Sequence, residues 1–133
     1  MAKSRGLPNG RLLSIPHAVY DTDKYAALPN AAIRLLYDLA RQYNGFNNGS
    51  QCASFKLLKN RGWQSKSNLE RATRLLLDAG FIEITRQGGR HRATLYGFTW
   101  HPIHECKDKQ GQHKLDARPT KLAAGTWKDD PKN

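Results

Sequence analysis

Acidic residues are scarce in this chain. Eleven Asp and Glu stand against 22 Lys and Arg in 133 residues. Few carboxylates remain for paired acid–base work. Apolar runs are also short, and none approaches the roughly 20 residues that a membrane span needs. Residues 1–11 lack the apolar stretch of a secretion signal. Two cysteines, Cys52 and Cys106, make no disulfide framework. The expected setting is therefore cytoplasmic, with no membrane partner. Gly88-Gly89 is not followed by the Gly-Lys-Ser/Thr of a phosphate-cradling loop. With no nucleophile–base arrangement either, neither an enzyme nor a cofactor is expected.

What the chain has in excess is positive charge. The formal net charge is +11 and the sequence pI is about 10.0. Such a field attracts polyanions over a Debye length of roughly 10 Å at moderate salt. Residues 28–100 carry eleven basic and four acidic side chains, net +7, against net +2 in each of 1–27 and 101–133. The excess sits in the segment that reads as folded, so a basic tail does not account for it.

Only 38% of the residues are apolar and the mean hydropathy is −0.74, so part of the chain is expected to be extended. Residues 1–27 read as a basic N-terminal arm and docking segment, with Leu12-Leu13-Ser14-Ile15-Pro16 as an extended piece covered by Tyr20 and Tyr25. A helix is expected from Pro29 to about Tyr43, with Ile33, Leu36, Tyr37 and Ala40 on its apolar stripe, widened by Leu35 and Leu39. A shorter helix spans 53–61, burying Phe55, Leu58 and also Leu57, and Gly62 ends it. Ser65 then caps a third helix running to about Ala79, although Ser67 with Glu70 also fits a capping box. Its apolar face is Leu69, Ala72, Leu76 and Ala79. After Gly80 the period changes to two: 81–86 and 93–100 form a hairpin around Gln87-Gly88-Gly89-Arg90. Residues 101–133 read as an extended, charged C-terminal tail, from which Ile103, Leu122 and Trp127 can dock.

The stretch Trp63-Gln64-Ser65-Lys66-Ser67-Asn68-Leu69-Glu70-Arg71-Ala72, followed by Leu76-Leu77-Asp78-Ala79-Gly80-Phe81-Ile82, resembles the recognition-helix region of bacterial and phage winged helix-turn-helix proteins. The spacing of Leu28-Pro29-Asn30-Ala31-Ala32 is similar to the same group, which includes phage and plasmid replication proteins and small regulators. The resemblance covers residues 28–100. It implies an α+β fold, a winged helix-turn-helix with a three-helix core, a C-terminal β-hairpin wing and extended tails. The motif is more specific for that fold than for a biological role.

The residues make physical sense of that expectation. A helix fits the major groove and approaches base edges with its N-terminal turn. With Ser65 as cap, Ser67, Glu70, Arg71 and Arg74 project away from the apolar face and Lys66 flanks them, while Asn68 falls near the buried border. Arg71 is the leading candidate for a bidentate contact to guanine; Lys66, Ser67 and Asn68 are further candidates, and Arg74 suits a phosphate. Glu70 is read as the i,i+4 partner of Arg74. Arg86, Arg90, His91 and Arg92 cluster at the glycine turn with no acid among them in sequence, as a wing that contacts the backbone or minor groove would need. Lys56, Lys59, Lys3 and Arg5 extend the footprint as backbone contacts.

His101, His104, Cys106 and His113 invite a zinc reading, but their spacing matches no closed structural site, and no metal is expected. The expected function is sequence-specific binding of double-stranded DNA by a small transcriptional regulator, or a replication-associated protein, of a phage or other mobile element. Regulation is favoured because no motor or nickase part is visible. The bound form would be nucleoid-associated, and a homodimer is allowed although no dimerisation helix is evident. The rival from another class is a protein-interaction module on the same scaffold, for example an inhibitor of a host nucleic-acid enzyme. RNA is a third partner to test.

Overall fold

The computed structural model describes residues 11–129 of the chain. Lys3 and Arg5 lie outside the described residues. Among the described residues, five α-helices and a three-stranded antiparallel sheet make a mixed α+β structure: α1 (His17–Tyr20), α2 (Asp23–Ala26), α3 (Asn30–Arg41), β1 (Gln51–Cys52), α4 (Phe55–Leu58), α5 (Lys66–Asp78), β2 (Ile82–Arg86) and β3 (Leu95–Phe98). The sheet order is β1-β3-β2.

Pro29 is the extended N-cap residue just before α3, which starts at Asn30. Ala32, Leu35, Leu36, Leu39 and Ala40 are buried, at the i, i+3, i+4, i+7, i+8 spacing of one face. This stripe is rotated from the expected one: Tyr37 is 41% exposed and Ile33 is only partly buried. The run of apolar residues on α3 is wide enough to allow either rotation, and the partner helix chose between them. That partner is α5, which buries Leu69, Ala72, Thr73 and Leu76 against the same core as α3. Each fully buried leucine there is worth about 1.5–3 kcal/mol of transfer free energy.

Ser54 caps α4 by accepting the Leu57 N–H, and a 3₁₀ turn at Lys59–Arg61 prolongs the helix. Leu58 is buried, whereas Leu57 is 50% exposed and so does not belong to the core as expected. Four helical residues offer one inward side-chain direction here, and Leu58 takes it. Gly62 ends the unit at φ 96°, a conformation that glycine adopts without a Cβ penalty. It also leaves room for the Arg34 guanidinium, which donates to Arg61 O at 2.7 Å and lies over the Trp63 ring.

Strand β1 has no counterpart in the expectations, because two residues cannot display an alternating pattern. It pairs with β3 (Gln51↔Tyr96, Cys52↔Leu95). Its other edge is satisfied by a side chain. Gln42 at the end of α3 donates Nε2–H to Cys52 O at 2.9 Å and accepts Cys52 N–H at 2.7 Å. Asn48, fully buried, does the same for the far end of β3, accepting Phe98 N–H and donating to the carbonyls of Phe98, His101 and Pro102. Buried amides of this kind are tolerable because their polar atoms find partners.

Both terminal segments depart from the expectations. The N-terminal segment does not dock through Leu12 and Leu13, which are exposed. It docks through two helical turns that bury Val19 and Tyr25, while Tyr20 is exposed. The hydrogen-bonded turn lets each apolar residue reach the core while Thr22 caps α2. The segment beyond His101 has no α-helix among the described residues, yet it is packed. Ile103, Cys106 and Leu115 form a second small core with Leu95, beside Cys52. Gly97 permits this close approach: a Cβ there would stand 2.9 Å from Ile103 Cδ1 and 3.1 Å from Gly49 Cα. Trp127 packs on the main core, and Leu122, 81% exposed, does not dock. Lys24 donates to Ala79 O at 2.6 Å and to Thr126 O at 3.2 Å, so both terminal segments meet where the carbonyl-rich end of α5 favours a cation.

Among the described residues, no helix is long and apolar enough to cross a membrane.

Candidate nucleic-acid interface

Helix α5 is anchored on one side and open on the other. Ser65 accepts the Asn68 N–H at 3.2 Å and sets the first turn, so Ser65 rather than Ser67 is the cap. With Leu69, Ala72 and Leu76 turned inward, Lys66, Ser67, Glu70, Arg71 and Arg74 are exposed. Asn68 is exposed as well, not at a buried border. It joins Asn30, Arg34, Trp63 and Ser65 around a cleft of 410 Å³ between the starts of α3 and α5. The Ser67 hydroxyl is 3.0 Å from that of Ser65.

The expected Glu70–Arg74 pair does not close. Among the described residues the ion pairs are Arg92–Asp116 and Lys107–Glu105. Adjacent exposed side chains one helical turn apart gain little from pairing and lose rotamer freedom, which accounts for an open pair.

Lys56 from α4, Lys59 from the 3₁₀ turn that follows it and Lys66 from α5 line a cleft of 490 Å³ together with Phe55 and Glu70. Three successive elements thus bring three ammonium groups together at the first turn of α5. Arg34 is held by Arg61 O and Trp63, and Trp63 Nε1–H donates to Asp38 at 2.7 Å. These contacts brace the turn that leads into α5.

The glycine turn is built differently. Gly89 N–H donates to Arg92 O at 2.9 Å, which leaves Arg90 and His91 exposed at the tip. Arg86 is half-buried and turned back, donating Nη2–H to Ala93 O at 2.8 Å. Its Nε is buried without a partner. Arg92 donates Nε–H and Nη2–H to Gln87 O at 3.2 and 3.1 Å, and its Nη2 stands 3.3 Å from Asp116 Oδ1. The acid-free wing expected from the local sequence is corrected by this contact. A carboxylate from 24 residues downstream reaches it, and no local pattern could have signalled that.

Two of the histidines beyond the sheet hold backbone. His104 Nδ1 accepts the Asn48 N–H at 2.9 Å, and His113 Nδ1 accepts the Cys106 N–H at 3.1 Å. His113 Nε2 is 2.7 Å from Ala117 O. His101 stacks on Tyr43 at 4.6 Å; burial, and then the neighbouring His104, hold its imidazolium pKa below the ordinary value. Burial likewise pushes the Cys106 thiol and the Glu83 carboxyl up. No group of three or more His, Cys, Asp or Glu among the described residues is arranged to hold a metal ion.

Comparison with protein-family models, curated proteins and solved structures found no match for this chain.

Proposed function

We propose that this chain is a winged helix-turn-helix protein that binds double-stranded DNA with sequence preference. In this reading α3, the α4–turn–α5 pair and the β2–β3 hairpin are the scaffold. Helix α5 enters the major groove, and the 87–94 wing runs along the adjacent backbone. One observation carries the reading: Lys66, Ser67, Asn68, Arg71 and Arg74 are all exposed on a helix whose other face is locked by Leu69, Ala72 and Leu76. A helix offering such a ridge, within a chain of net charge +11, matches the width of the groove and the charge of the duplex.

The division of labour follows from reach. Arg71, in the second turn, presents a planar fork suited to guanine O6 and N7. Lys66, Ser67 and Asn68 lie in the first turn, nearest the base edges. Lys56, Lys59 and Arg74 neutralise phosphates on either side, and Arg90 and His91 extend the contact from the wing tip. The biological role we propose is transcriptional regulation, or a replication-associated role, in a phage or other mobile element.

Selection of bound sequences from a random duplex pool tests this. A recovered motif that a duplex RNA of the same sequence fails to compete for supports the reading. Failure to retain any duplex at low salt defeats it and favours the protein-interaction module.

A further inference from the structure

Three features converge on the base of the wing. Strand β2 bulges between Ile84 and Arg86, which leaves Thr85 outside the ladder with β3. The Thr85 carbonyl accepts instead the backbone N–H groups of Asp116 and Ala117, at 2.8 and 2.9 Å. Two residues on, Gln87 N–H donates to Asp116 Oδ2 at 2.8 Å, while Gln87 O takes the Arg92 guanidinium that also meets Asp116 Oδ1. Both limbs of the wing are therefore tied to one side chain.

The segment carrying Asp116 is anchored on its own account. Leu115 is buried with Leu95, Ile103 and Cys106. Lys114 N–H donates to Cys106 O at 2.7 Å, and His113 bonds to both Cys106 and Ala117. The wing itself has little to hold it. Beyond Arg86 and Leu95 the ladder gives way to a single bridge, Gly89↔Arg92, with side-chain bonds from Gly88 N–H to Thr94 Oγ1 and from Arg86 Nη2–H to Ala93 O across the limbs. Gly88 and Gly89 add the chain's most permissive residue twice in succession.

We propose that the 113–117 segment is a strap that forms part of the DNA-binding apparatus, with Asp116 a positioning residue that sets the pitch of the wing and so aims Arg90 and His91. This rests on the DNA reading above. The opposing possibility is that Asp116 masks Arg92 from phosphate. Geometry favours positioning. Arg92 and Asp116 side chains are 51% and 58% exposed, so their ion pair is weak. The shorter contact is to the Gln87 N–H, a charge-assisted bond to backbone that fixes direction and blocks no guanidinium.

The two alternatives predict opposite signs. Charge alone says that removing a carboxylate beside a basic wing tightens binding to a polyanion. Positioning says that it weakens binding. The experiment is an anisotropy titration of the full chain, Asp116→Ala, Asp116→Asn and Arg90→Ala with a labelled random-sequence duplex, alongside amide hydrogen exchange. The expected result is an affinity loss of about threefold or more for Asp116→Ala, similar to that of Arg90→Ala. Asp116→Asn recovers most of it, because its amide oxygen still accepts Gln87 N–H. Exchange accelerates at Gln87 and Gly89 in Asp116→Ala, while the amides of α5 keep their protection and certify the fold. Wild type that binds while Asp116→Ala binds equally or more tightly overturns the positioning role alone. Wild type that binds no duplex overturns the DNA reading and the positioning role with it.

Discussion

Helix α5 and the wing each carry three Lys or Arg side chains, yet they hold them in opposite ways. On α5 the cations Lys66, Arg71 and Arg74 project from a rigid ladder, and none makes an ion pair among the described residues. On the wing, Arg86 and Arg92 fold back onto backbone carbonyls, and Arg90 and His91 alone stand free at the tip. The helix is stiff through its own hydrogen bonds and needs its neighbours to fix its rotation. The wing is two glycine-bearing limbs, and part of its cationic charge serves to shape it. The same residue type thus stands open to solvent on one element and builds the other. A count of arginines near a turn overstates the surface they present.

The comparison breaks most completely if its common scaffold is removed. Leu76→Ala, at a fully buried position facing α3, is expected to cost about 2–5 kcal/mol in chemical denaturation. Duplex binding by α5 and by the wing should then fall together. Arg71→Ala acts on the helix alone. It is expected to lose about 1–3 kcal/mol of discrimination at a single base position, read by repeating the pool selection. Its unfolding free energy should stay within about 0.5 kcal/mol of wild type, because the side chain is exposed. Arg90→Ala acts on the wing alone. It should weaken binding to all sequences alike and reduce the slope of log K against log salt by about one unit, with base preference intact. A change in base preference with Arg90→Ala would mean that the wing reads sequence and the contrast with α5 is wrong.

The smallest effect concerns the packed segment beyond β3. His101 is stacked on Tyr43 and its pKa is lowered by burial, so the folded chain resists protonating it. As pH falls through about 6.5, the unfolded chain takes the proton first, and stability declines until the folded pKa is passed. A melting series from pH 8 to 5 should show this decline. His101→Phe, which keeps a ring against Tyr43, should flatten it.

Much of this architecture was legible locally. The helices at 30–41 and 66–78, the Ser65 cap, the stop at Gly62 and the hairpin limbs followed from periodicity and terminal chemistry. The exposure of Lys66, Ser67, Arg71 and Arg74 followed from placing Leu69, Ala72 and Leu76 inward. What escaped was of another kind. Tyr37 sits in an apolar stretch whose rotation is chosen by a partner helix, and Leu57 in a four-residue helix that turns only Leu58 inward. Strand β1 is too short to carry a pattern, and Gln42 reads as a polar helix residue and Asn48 as a loop one until their amides are seen to complete the sheet edges. The segment beyond His101 is poor in apolar residues, and its docking depends on three of them, Ile103, Cys106 and Leu115, meeting Leu95.

Spacing along the chain determined which stretches become helix or strand and which face of α5 meets solvent. Those properties depend on neighbours within a turn or two, where backbone geometry fixes relative direction. Tertiary structure alone decided which cations remain free. Asp116 reaches Gln87 and Arg92 because a buried leucine beside it is held against β3, and that contact depends on how the whole chain closes.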